Sequence, residues 1–454
     1  MRRILVANRG EVAVRVIRAA HDLGLEAVAV YSEADTNAPH VRMADAAVAI
    51  GPPAAARSYL NVEAIMGAAR ESGAEAVHPG YGFLSERADF ASAVEDAGLV
   101  FVGPAPEHIA LMGDKARARV TAAGADVPTI PGSDETVADV EEAATVAGGI
   151  GYPVVLKAAG GGGGRGIRIV HDERKLGGDY QTAAREANGA FDDARLYVER
   201  FVTPARHVEV QVLGDGKSAI HLLERECSLQ RRRQKVLEET PAPLLSESTR
   251  AGLCEAAVAL CAAIGYRSAG TVEFLVDAET GEFFFIEMNT RIQVEHPVTE
   301  LVTGVDLIAE QLRIAAGEPL RLEQHQVVAR GCAVELRINA ENPGNGFQPS
   351  PGPLQRVVLP AGPWVRVDTW MQEGGTVPPF YDSLLGKVVV WGHDRTTALA
   401  RARRALGELE VDGVDTNCSF LAALLDQEWF SRGEFHTGTL ESWLEEITPQ
   451  NGAA

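Results

Sequence analysis

The sequence predicts an α/β protein that begins with a parallel sheet and continues into a region of antiparallel strands. Strand-like and helix-like segments alternate through residues 1 to about 113, which is the pattern of βαβ units. Further along, two β-prone runs at residues 271–276 and 282–286 flank the turn-like segment 278–281. A glycine-containing loop between two such runs is typical of an antiparallel hairpin.

The first region should contain parallel strands with helices between them. We expect strands at residues 4–7, 27–31, 76–78 and 99–102, and helices at 11–23 and 90–97. The turn after the first strand has one glycine, Gly10, and lacks the G-x-G-x-x-G pattern, so a dinucleotide site is not indicated. The loop at residues 78–86 either displays Tyr81 and Phe83 or packs both rings inward.

A glycine-rich loop marks the middle of the chain. A helix should begin at about Lys115. A strand at 153–157 ends in Lys157, shortly before five consecutive glycines at 160–164 and a second strand at 167–170. P-loops and Rossmann turns lead into a helix, whereas this loop joins two strands. We interpret it as a flap whose backbone N–H groups close over phosphates, with a plain flexible hairpin as the alternative.

The predicted hairpin carries an unusual concentration of acids. If it is symmetric about Thr280, Glu273 lies directly opposite Glu287, and Asn289 shares the face of Glu287. Like charges directly opposed in a sheet are destabilising. A divalent cation with oxygen ligands would remove that repulsion, and phosphates could complete its shell. The alternative is that both acids are solvated or that one is protonated.

Cationic and amide side chains cluster at residues 224–235, after a strand at 207–213 whose alternating pattern predicts one buried face. Such a cluster forms either an anion pocket or a solvated basic face.

After residue 330 we expect strands at 333–338, 355–359 and 387–391 and a helix at 396–406.

Composition is that of a globular protein, with 46% hydrophobic and 23% charged residues and a net charge of −21. That charge argues against nucleic acid or an anionic membrane as the main partner. The five cysteines lack CxxC spacing, so we expect reduced thiols in the cytoplasm. Only six of the 42 lysines and arginines are lysines. Three of them lie at features described above: Lys115 at the start of a predicted helix, Lys157 before the glycine-rich loop and Lys235 in the cationic cluster.

Together these segments resemble the biotin carboxylases, a branch of the ATP-grasp enzymes, over nearly the whole chain. The resemblance is carried by the start Asn8-Arg9-Gly10-Glu11 and by residues 78–86, 157–166, 206–212, 287–297 and 335–341. It implies a Rossmann-like N-terminal domain at 1–113, an ATP-grasp domain at 114–329 with a mobile lid at about 131–203, and a mixed α/β domain at 330–447. Residues 448–454 are expected to be a disordered tail.

The resemblance also implies a role for each matching residue. ATP would be bound by Lys115, Lys157, Gly163, Gly164, Glu199, Arg200, Phe201, Val202, His207, Gln230, Arg233, Glu273 and Glu287. Mg²⁺ or Mn²⁺ would be bound by Glu273, Glu287 and Asn289. Bicarbonate would be held by Lys235, Arg291, Gln293 and the backbone of Val294, with Glu295 as its general base. Arg337 would stabilise the enolate form of biotin, near Tyr81 and Arg15.

At Arg233 the family usually has histidine beside the ribose, so we expect a changed ATP affinity with the chemistry retained. The family carries biotin on a lysine between two methionines, and no Met-Lys-Met occurs here. We therefore expect a separate biotin carboxyl carrier protein and carboxyltransferase subunits, with acetyl-CoA carboxylase and fatty-acid synthesis as the setting. Family analogy also implies a homodimer with Arg18 and Asp22 near its interface.

Two alternatives share many of these features. Another ATP-grasp ligase would keep the metal hairpin and the flap, but it would not need Arg337 or the sequence Glu295-His296-Pro297 in this form. A nucleotide-binding subunit without catalytic activity would not need every phosphate, metal and base residue.

Overall fold

The computed structural model describes residues 1–133, 135–159 and 167–447. The predicted flap glycines Gly163 and Gly164 and the predicted tail at 448–454 lie outside these residues. Among the described residues, no helix combines the length and apolar character that a membrane span requires.

The N-terminal region is the predicted parallel sheet, with strand order β3-β2-β1-β4-β5 and every pairing parallel. Its elements are β1 (Arg3–Val6), α1 (Gly10–Asp22), β2 (Glu26–Ser32), α2 (Pro39–Met43), β3 (Ala46–Gly51), α3 (Val62–Ser72), β4 (Ala76–His78), α4 (Ala88–Asp96), β5 (Val100–Phe101) and α5 (Pro106–Gly113). Both faces of the sheet are covered by apolar clusters, as parallel sheets require.

A small antiparallel sheet, of order β7-β6-β8, contains the strands that flank the glycine-rich loop. The elements here are α6 (Lys115–Gly124), α7 (Val140–Ile150), β6 (Val154–Ala158), β7 (Ile167–Val170), α8 (Glu173–Phe191) and β8 (Leu196–Arg200). Asp114 caps α6 by accepting hydrogen bonds from the backbone N–H groups of Ala116 and Arg117, which fixes the start of the helix at Lys115.

The largest sheet has eight strands, all paired antiparallel, in the order β15-β14-β9-β10-β13-β16-β23-β21. The elements from residue 205 to 315 are β9 (Ala205–Asp215), β10 (Ala219–Glu226), β11 (Gln230–Arg231), β12 (Gln234–Lys235), β13 (Leu237–Thr240), α9 (Glu247–Ile264), β14 (Arg267–Asp277), β15 (Phe283–Asn289), α10 (His296–Thr303) and α11 (Leu307–Ala315). This sheet forms the floor beneath the candidate site.

Three strands of the same sheet come from the C-terminal part of the chain. The elements there are β16 (Cys332–Asn339), β17 (Glu341–Asn342), β18 (Gln348–Pro349), β19 (Gly352–Pro353), β20 (Arg356–Val358), β21 (Val365–Thr369), β22 (Thr376–Val377), β23 (Leu384–Gly392), α12 (Arg395–Glu408), β24 (Glu410–Asp412), α13 (Cys418–Leu425), α14 (Glu428–Arg432) and α15 (Thr439–Ile447). Because β13 pairs with β16, one sheet continues across the boundary expected near residue 329, and the domain limits stay a prediction.

The prediction that residues 207–213 form a half-buried strand is wrong about burial. Strand β9 is buried on both faces: Val208, Val210 and Val212 pack with α9, and Glu209 and Gln211 on the other face are 0% exposed. The polar face is buried because Arg225 lies against it, with Nε 2.6 Å from Glu209 Oε1 and Nη1 2.7 Å from Gln211 Oε1. The alternation in the sequence thus marks a buried polar network.

Candidate active site

A cavity of about 800 Å³ lies between the small sheet, the large sheet and the loop at residues 78–86. Most of the predicted site residues line it, although they come from distant parts of the chain. They are Tyr81, Lys115, Lys157, Glu199, His207, Gln230, Arg233, Lys235, Glu273, Glu287, Asn289, Arg291, Gln293, Val294 and Arg337. The roles assigned to them stay predictions, but the fold brings the residues together.

Five predicted residues do not line this cavity in the part of the chain that the structure describes: Arg15, Arg200, Phe201, Val202 and Glu295. Arg15 is buried, with Nη2 2.9 Å from Glu300 Oε1 and 2.6 Å from Asp306 Oδ1. Arg200 lies over the ring of Phe284 at 4.8 Å. Glu295 is fully buried behind two cationic side chains that do line the cavity, described below.

The hairpin pairing predicted from the sequence is confirmed. Glu273 pairs with Glu287 across β14 and β15, and a bulge between Glu273 and Phe274 shifts the register toward the turn. Glu273 also pairs with Glu209 on its other side, and Glu209 with Arg225. Four neighbouring strands therefore carry an unbroken row of three acids and one arginine.

Glu273 is buried and paired with two cationic side chains, which favours its ionised form. It is 6% exposed, its Oε2 lies 2.9 Å from His207 Nε2, and its Oε1 lies 3.2 Å from Lys235 Nζ. Asn289 Nδ2 donates to the same Oε1 at 2.9 Å. Burial opposes ionisation, yet Lys235 and His207 lower the pKa of Glu273. Protein cations thus relieve part of the repulsion that the sequence argument assigned to a metal.

The predicted metal ligands nevertheless fit a hard divalent cation. Glu287 lines the cavity with its carboxylate 3.6 Å from Lys115 Nζ, and Asn289 Oδ1 accepts a hydrogen bond from Arg291 at 3.1 Å. Glu273, Glu287 and Asn289 therefore present oxygen atoms that already attract positive groups. Carboxylate and amide oxygens are the ligands that Mg²⁺ and Mn²⁺ favour.

The Glu295 carboxylate is held between Lys235 and Arg337. Its Oε1 is 2.6 Å from Lys235 Nζ and its Oε2 is 2.9 Å from Arg337 Nη2. Burial works against the charged form, but Lys235, Arg337 and Arg225 together lower the pKa of Glu295 well below its ordinary value. The two cations therefore favour the ionised form of this carboxylate, and one of them must move away before it can accept a proton.

Arg291 is fixed from several sides at the cavity wall. Its Nε donates to Glu86 Oε2 at 2.9 Å, and its Nη1 donates to Gln293 Oε1 at 2.6 Å. Gln293 in turn donates to Glu273 Oε1 at 3.2 Å. A guanidinium held in this way keeps its planar fork in one orientation, which suits a planar anion such as carbonate.

The lysine before the glycine-rich loop is paired with an acid. Lys157 contacts Glu199, which also accepts a hydrogen bond from Arg119 at 2.8 Å.

Two further predicted nucleotide residues lie on or beside the β11–β12 turn. Gln230 Nε2 lies 2.7 Å from His207 Nδ1. Burial lowers the pKa of Arg233, which lines the cavity from the β11–β12 turn.

Tyr81 and Phe83 differ in a way that the two alternatives for their loop did not allow. Tyr81 lines the cavity while its hydroxyl donates to Glu11. Phe83 packs inward, with its ring centroid 5.1 Å from that of Tyr59 and 6.2 Å from that of Tyr381. The loop therefore displays one ring and buries the other.

Three family models match consecutive parts of the chain. They are the biotin carboxylase N-terminal domain at residues 1–109, the ATP-binding domain of the carbamoyl-phosphate synthase L chain at 114–323, and the biotin carboxylase C-terminal domain at 335–442. The chain is 50% identical to biotin carboxylase 1 of Bacillus subtilis, over 98% of this chain and 99% of that protein. It is 52% identical to the biotin carboxylase of Pseudomonas aeruginosa over the same shares.

The chain belongs to the biotin carboxylase family.

Solved structures of family members have the same fold. The biotin carboxylase domain dimer of Hydrogenobacter thermophilus 2-oxoglutarate carboxylase, in complex with MgADP and bicarbonate, has a TM-score of 0.91 and 48% identity, over 97% of each chain. A biotin carboxylase complex from Campylobacter jejuni has a TM-score of 0.93 and 44% identity, over 97% of this chain and 98% of that one. The ATP-grasp architecture expected from the sequence is confirmed.

Sequence reasoning missed several charged residues that hold this family's candidate site together. Glu209, Arg225 and Glu238 are 0% exposed and support Lys235, Glu295 and Arg337. The sequence held one indication of this buried network. Glu209 and Gln211 alternate with valines, as polar residues on one face of a strand do, and Arg225 lies between Glu224 and Glu226. Glu86, which holds Arg291, carried no comparable signal.

Proposed function

We propose that this chain uses ATP to activate bicarbonate and transfers the carboxyl group to biotin on a carrier protein. The observation that carries the proposal is the Glu295 carboxylate held behind Lys235 and Arg337. These two cations line the same cavity as Arg291, Gln293 and the lysines proposed to bind phosphate, Lys115 and Lys157. A base, an anion clamp and a nucleotide site in one cavity are what bicarbonate phosphorylation requires.

The first step joins bicarbonate to phosphate. A bicarbonate oxygen attacks the γ-phosphorus of ATP, the bond to the β–γ bridging oxygen breaks and ADP leaves, while Glu295 takes the proton from the bicarbonate hydroxyl. Lys115 and Lys157 neutralise charge that builds on the phosphates. When bound, a divalent metal ion at Glu273, Glu287 and Asn289 adds to that neutralisation.

The second step uses the product of the first. Carboxyphosphate breaks into CO₂ and phosphate, the phosphate removes the ureido proton of biotin, and the ureido nitrogen bonds to CO₂. Arg337 balances the negative charge on the biotin oxygen during this transfer. Its Nε is already held by Glu238 Oε1 at 2.6 Å, so its orientation exists before biotin arrives.

The test is ADP formation by the purified protein with bicarbonate, with and without free biotin. We expect turnover to require bicarbonate and to increase when biotin is added. Turnover that proceeds without biotin and depends on a different carboxylic acid would instead favour another ATP-grasp ligase.

The partners follow from the same proposal. We expect the biotin to be carried by a separate protein, so intact mass spectrometry should find none attached to this chain. We also propose a homodimer, because a 48% identical relative is a dimer and because Arg18 and Asp22 on α1 are exposed. Sedimentation of wild type and of Arg18→Glu tests this, and a monomeric wild type would contradict it.

A further inference from the structure

We propose that the buried Lys387 is a positioning residue that holds the Val294–Glu295 peptide in place for bicarbonate activation. Lys387 lies on β23 and is 0% exposed. Its Nζ donates to the Val294 carbonyl oxygen at 2.7 Å and lies 2.9 Å from Glu11 Oε1. The inference rests on the proposed function, because it assigns Lys387 a role at the part of the same site that is proposed to bind bicarbonate.

This single ammonium joins three distant parts of the sequence. Glu11 lies in the first turn of α1 beside the parallel sheet, Val294 lies just before α10, and Lys387 belongs to the large sheet. Val294 lines the cavity, whereas Lys387 does not appear among its described lining residues. Lys387 therefore acts on the site through the carbonyl group that it holds and, less directly, through Glu11, which also binds the cavity-lining Tyr81.

That carbonyl group belongs to the peptide bond immediately before Glu295. The carboxylate of Glu295 is held from the cavity side by Lys235 and Arg337. Lys387 holds the backbone just before Glu295, so the residue is held both at its carboxylate and at its main chain. An error of about 1 Å in the position of a reacting group costs about 100-fold in rate, so such a constraint has a functional effect.

The charges around Lys387 support a permanent ammonium at this position. Burial disfavours the charged form, but Glu11, Glu335 and Asp368 raise the pKa of Lys387. The same Glu11 oxygen accepts the hydroxyl of Tyr81, which lines the cavity. Glu11 Oε2 has no hydrogen-bond partner among the described residues, so the pair is not arranged for maximal stability.

The test compares substrate constants of Lys387→Met, which preserves length and removes the charge and the donor. We expect the KM for bicarbonate to rise about 10-fold or more and kcat for bicarbonate-dependent ATP cleavage to fall, because the base segment is no longer held. The KM for ATP should stay within about twofold. A folded variant with unchanged bicarbonate KM and kcat would overturn the proposal.

Arg395→Met is the matched control. Arg395 lies 2.7 Å from Glu239, which is 2% exposed, so this variant also breaks a largely buried ion pair, but one outside the cavity. We expect it to lower the unfolding temperature and leave both KM values unchanged. If it raised the bicarbonate KM as Lys387→Met does, the effect would be general destabilisation and the positioning role would be rejected.

A second variant covers the case in which Lys387→Met does not fold. Glu11→Gln keeps the shape of the partner but removes the charge that holds the Lys387 ammonium against the Val294 carbonyl, so it should raise the bicarbonate KM by a smaller factor. Normal thermal unfolding with an unchanged bicarbonate KM in this variant would contradict the proposal. Wild-type protein that shows no bicarbonate-dependent turnover would refute the proposed function instead.

Discussion

Two lysines that line the cavity hold their carboxylate partners in opposite ways. At the end proposed for bicarbonate, Lys235 Nζ lies within 3.2 Å of three carboxylates, those of Glu209, Glu273 and Glu295, which are all buried. At the end proposed for the nucleotide, Lys115 and Glu287 are 3.6 Å apart, with side chains 37% and 36% exposed.

This difference indicates two functions. Buried and multiply bonded charges keep their geometry before the substrate binds, which is what stabilisation of a developing charge requires. An exposed pair contributes little to stability, so Lys115 can exchange its carboxylate partner for a phosphate at little cost. Five substitutions test the comparison, beginning with the largest expected effect.

Glu295→Gln removes the base from the fixed end and leaves the exposed end intact. We expect bicarbonate-dependent ATP cleavage to fall about 10²- to 10⁴-fold, because the amide cannot accept the proton. Nucleotide affinity, measured by calorimetry, should be unchanged. Glu310→Gln, a buried acid on α11 paired with Arg313 at 2.6 Å, is the control and should keep full activity. Unchanged activity of Glu295→Gln would exclude Glu295 as the base.

Lys235→Met and Lys115→Met compare the ends directly. Loss of Lys235 leaves three buried carboxylates without their shared cation, and we expect about 3–5 kcal/mol of destabilisation, moderated by protonation of one of them. Loss of the half-exposed Lys115 should cost below about 1 kcal/mol while raising the KM for ATP. Equal losses of stability in chemical denaturation would refute the comparison.

Glu238 makes the fixed end sensitive to pH. Burial raises the pKa of Glu238 to about 7, with Arg337 opposing the shift. The folded protein therefore binds a proton here more tightly than the unfolded chain, and stability falls as the pH rises from about 4.5 to about 7. Unfolding midpoints at pH 5, 6 and 7 should fall less steeply in Glu238→Gln than in wild type. If the unfolding midpoint fell equally steeply with pH in both proteins, Glu238 would not be the source of this pH dependence.

Arg233→His should give the smallest effect. The substitution alters a residue at the end proposed for the nucleotide, at the turn between β11 and β12, and introduces the histidine that the resemblance implies at this position. We expect a shift in the KM for ATP with little change in single-turnover chemistry, measured by rapid quench. A large loss of turnover would mean that Arg233 takes part in the reaction.

Local features of the fold could be predicted from the sequence because their causes are local. Asp114 is followed by a helical pattern, and it caps α6. The turn at residues 278–281 identifies the hairpin, but its register pairs Val276 with Phe283 and would place Glu273 opposite Ile286. The bulge shifts the register by one residue and brings Glu287 opposite Glu273; the sequence did not predict it, because one extra residue leaves no signal in the alternation of side chains.

Long-range charge pairing could not be predicted in the same way. Arg337 and Glu238 are far apart in the sequence, and their contact depends on the antiparallel pairing of β13 with β16. Lys387 appeared only as a strand residue, because nothing in its neighbours in the sequence indicates Glu11 or the Val294 carbonyl. The resemblance thus predicted which residues belong to the site, whereas the charged partners of those residues became visible only in the structure.

The burial of Glu295 behind Lys235 and Arg337 also bears on a side reaction, the attack of water on ATP. A carboxylate with a cation on each oxygen is a poor base toward a stray water molecule. Only an anion that draws one of those cations to itself exposes the carboxylate, and bicarbonate is such an anion whereas water is not. If Glu295 is the base, as we propose, its burial should therefore limit hydrolysis of ATP when no bicarbonate is bound.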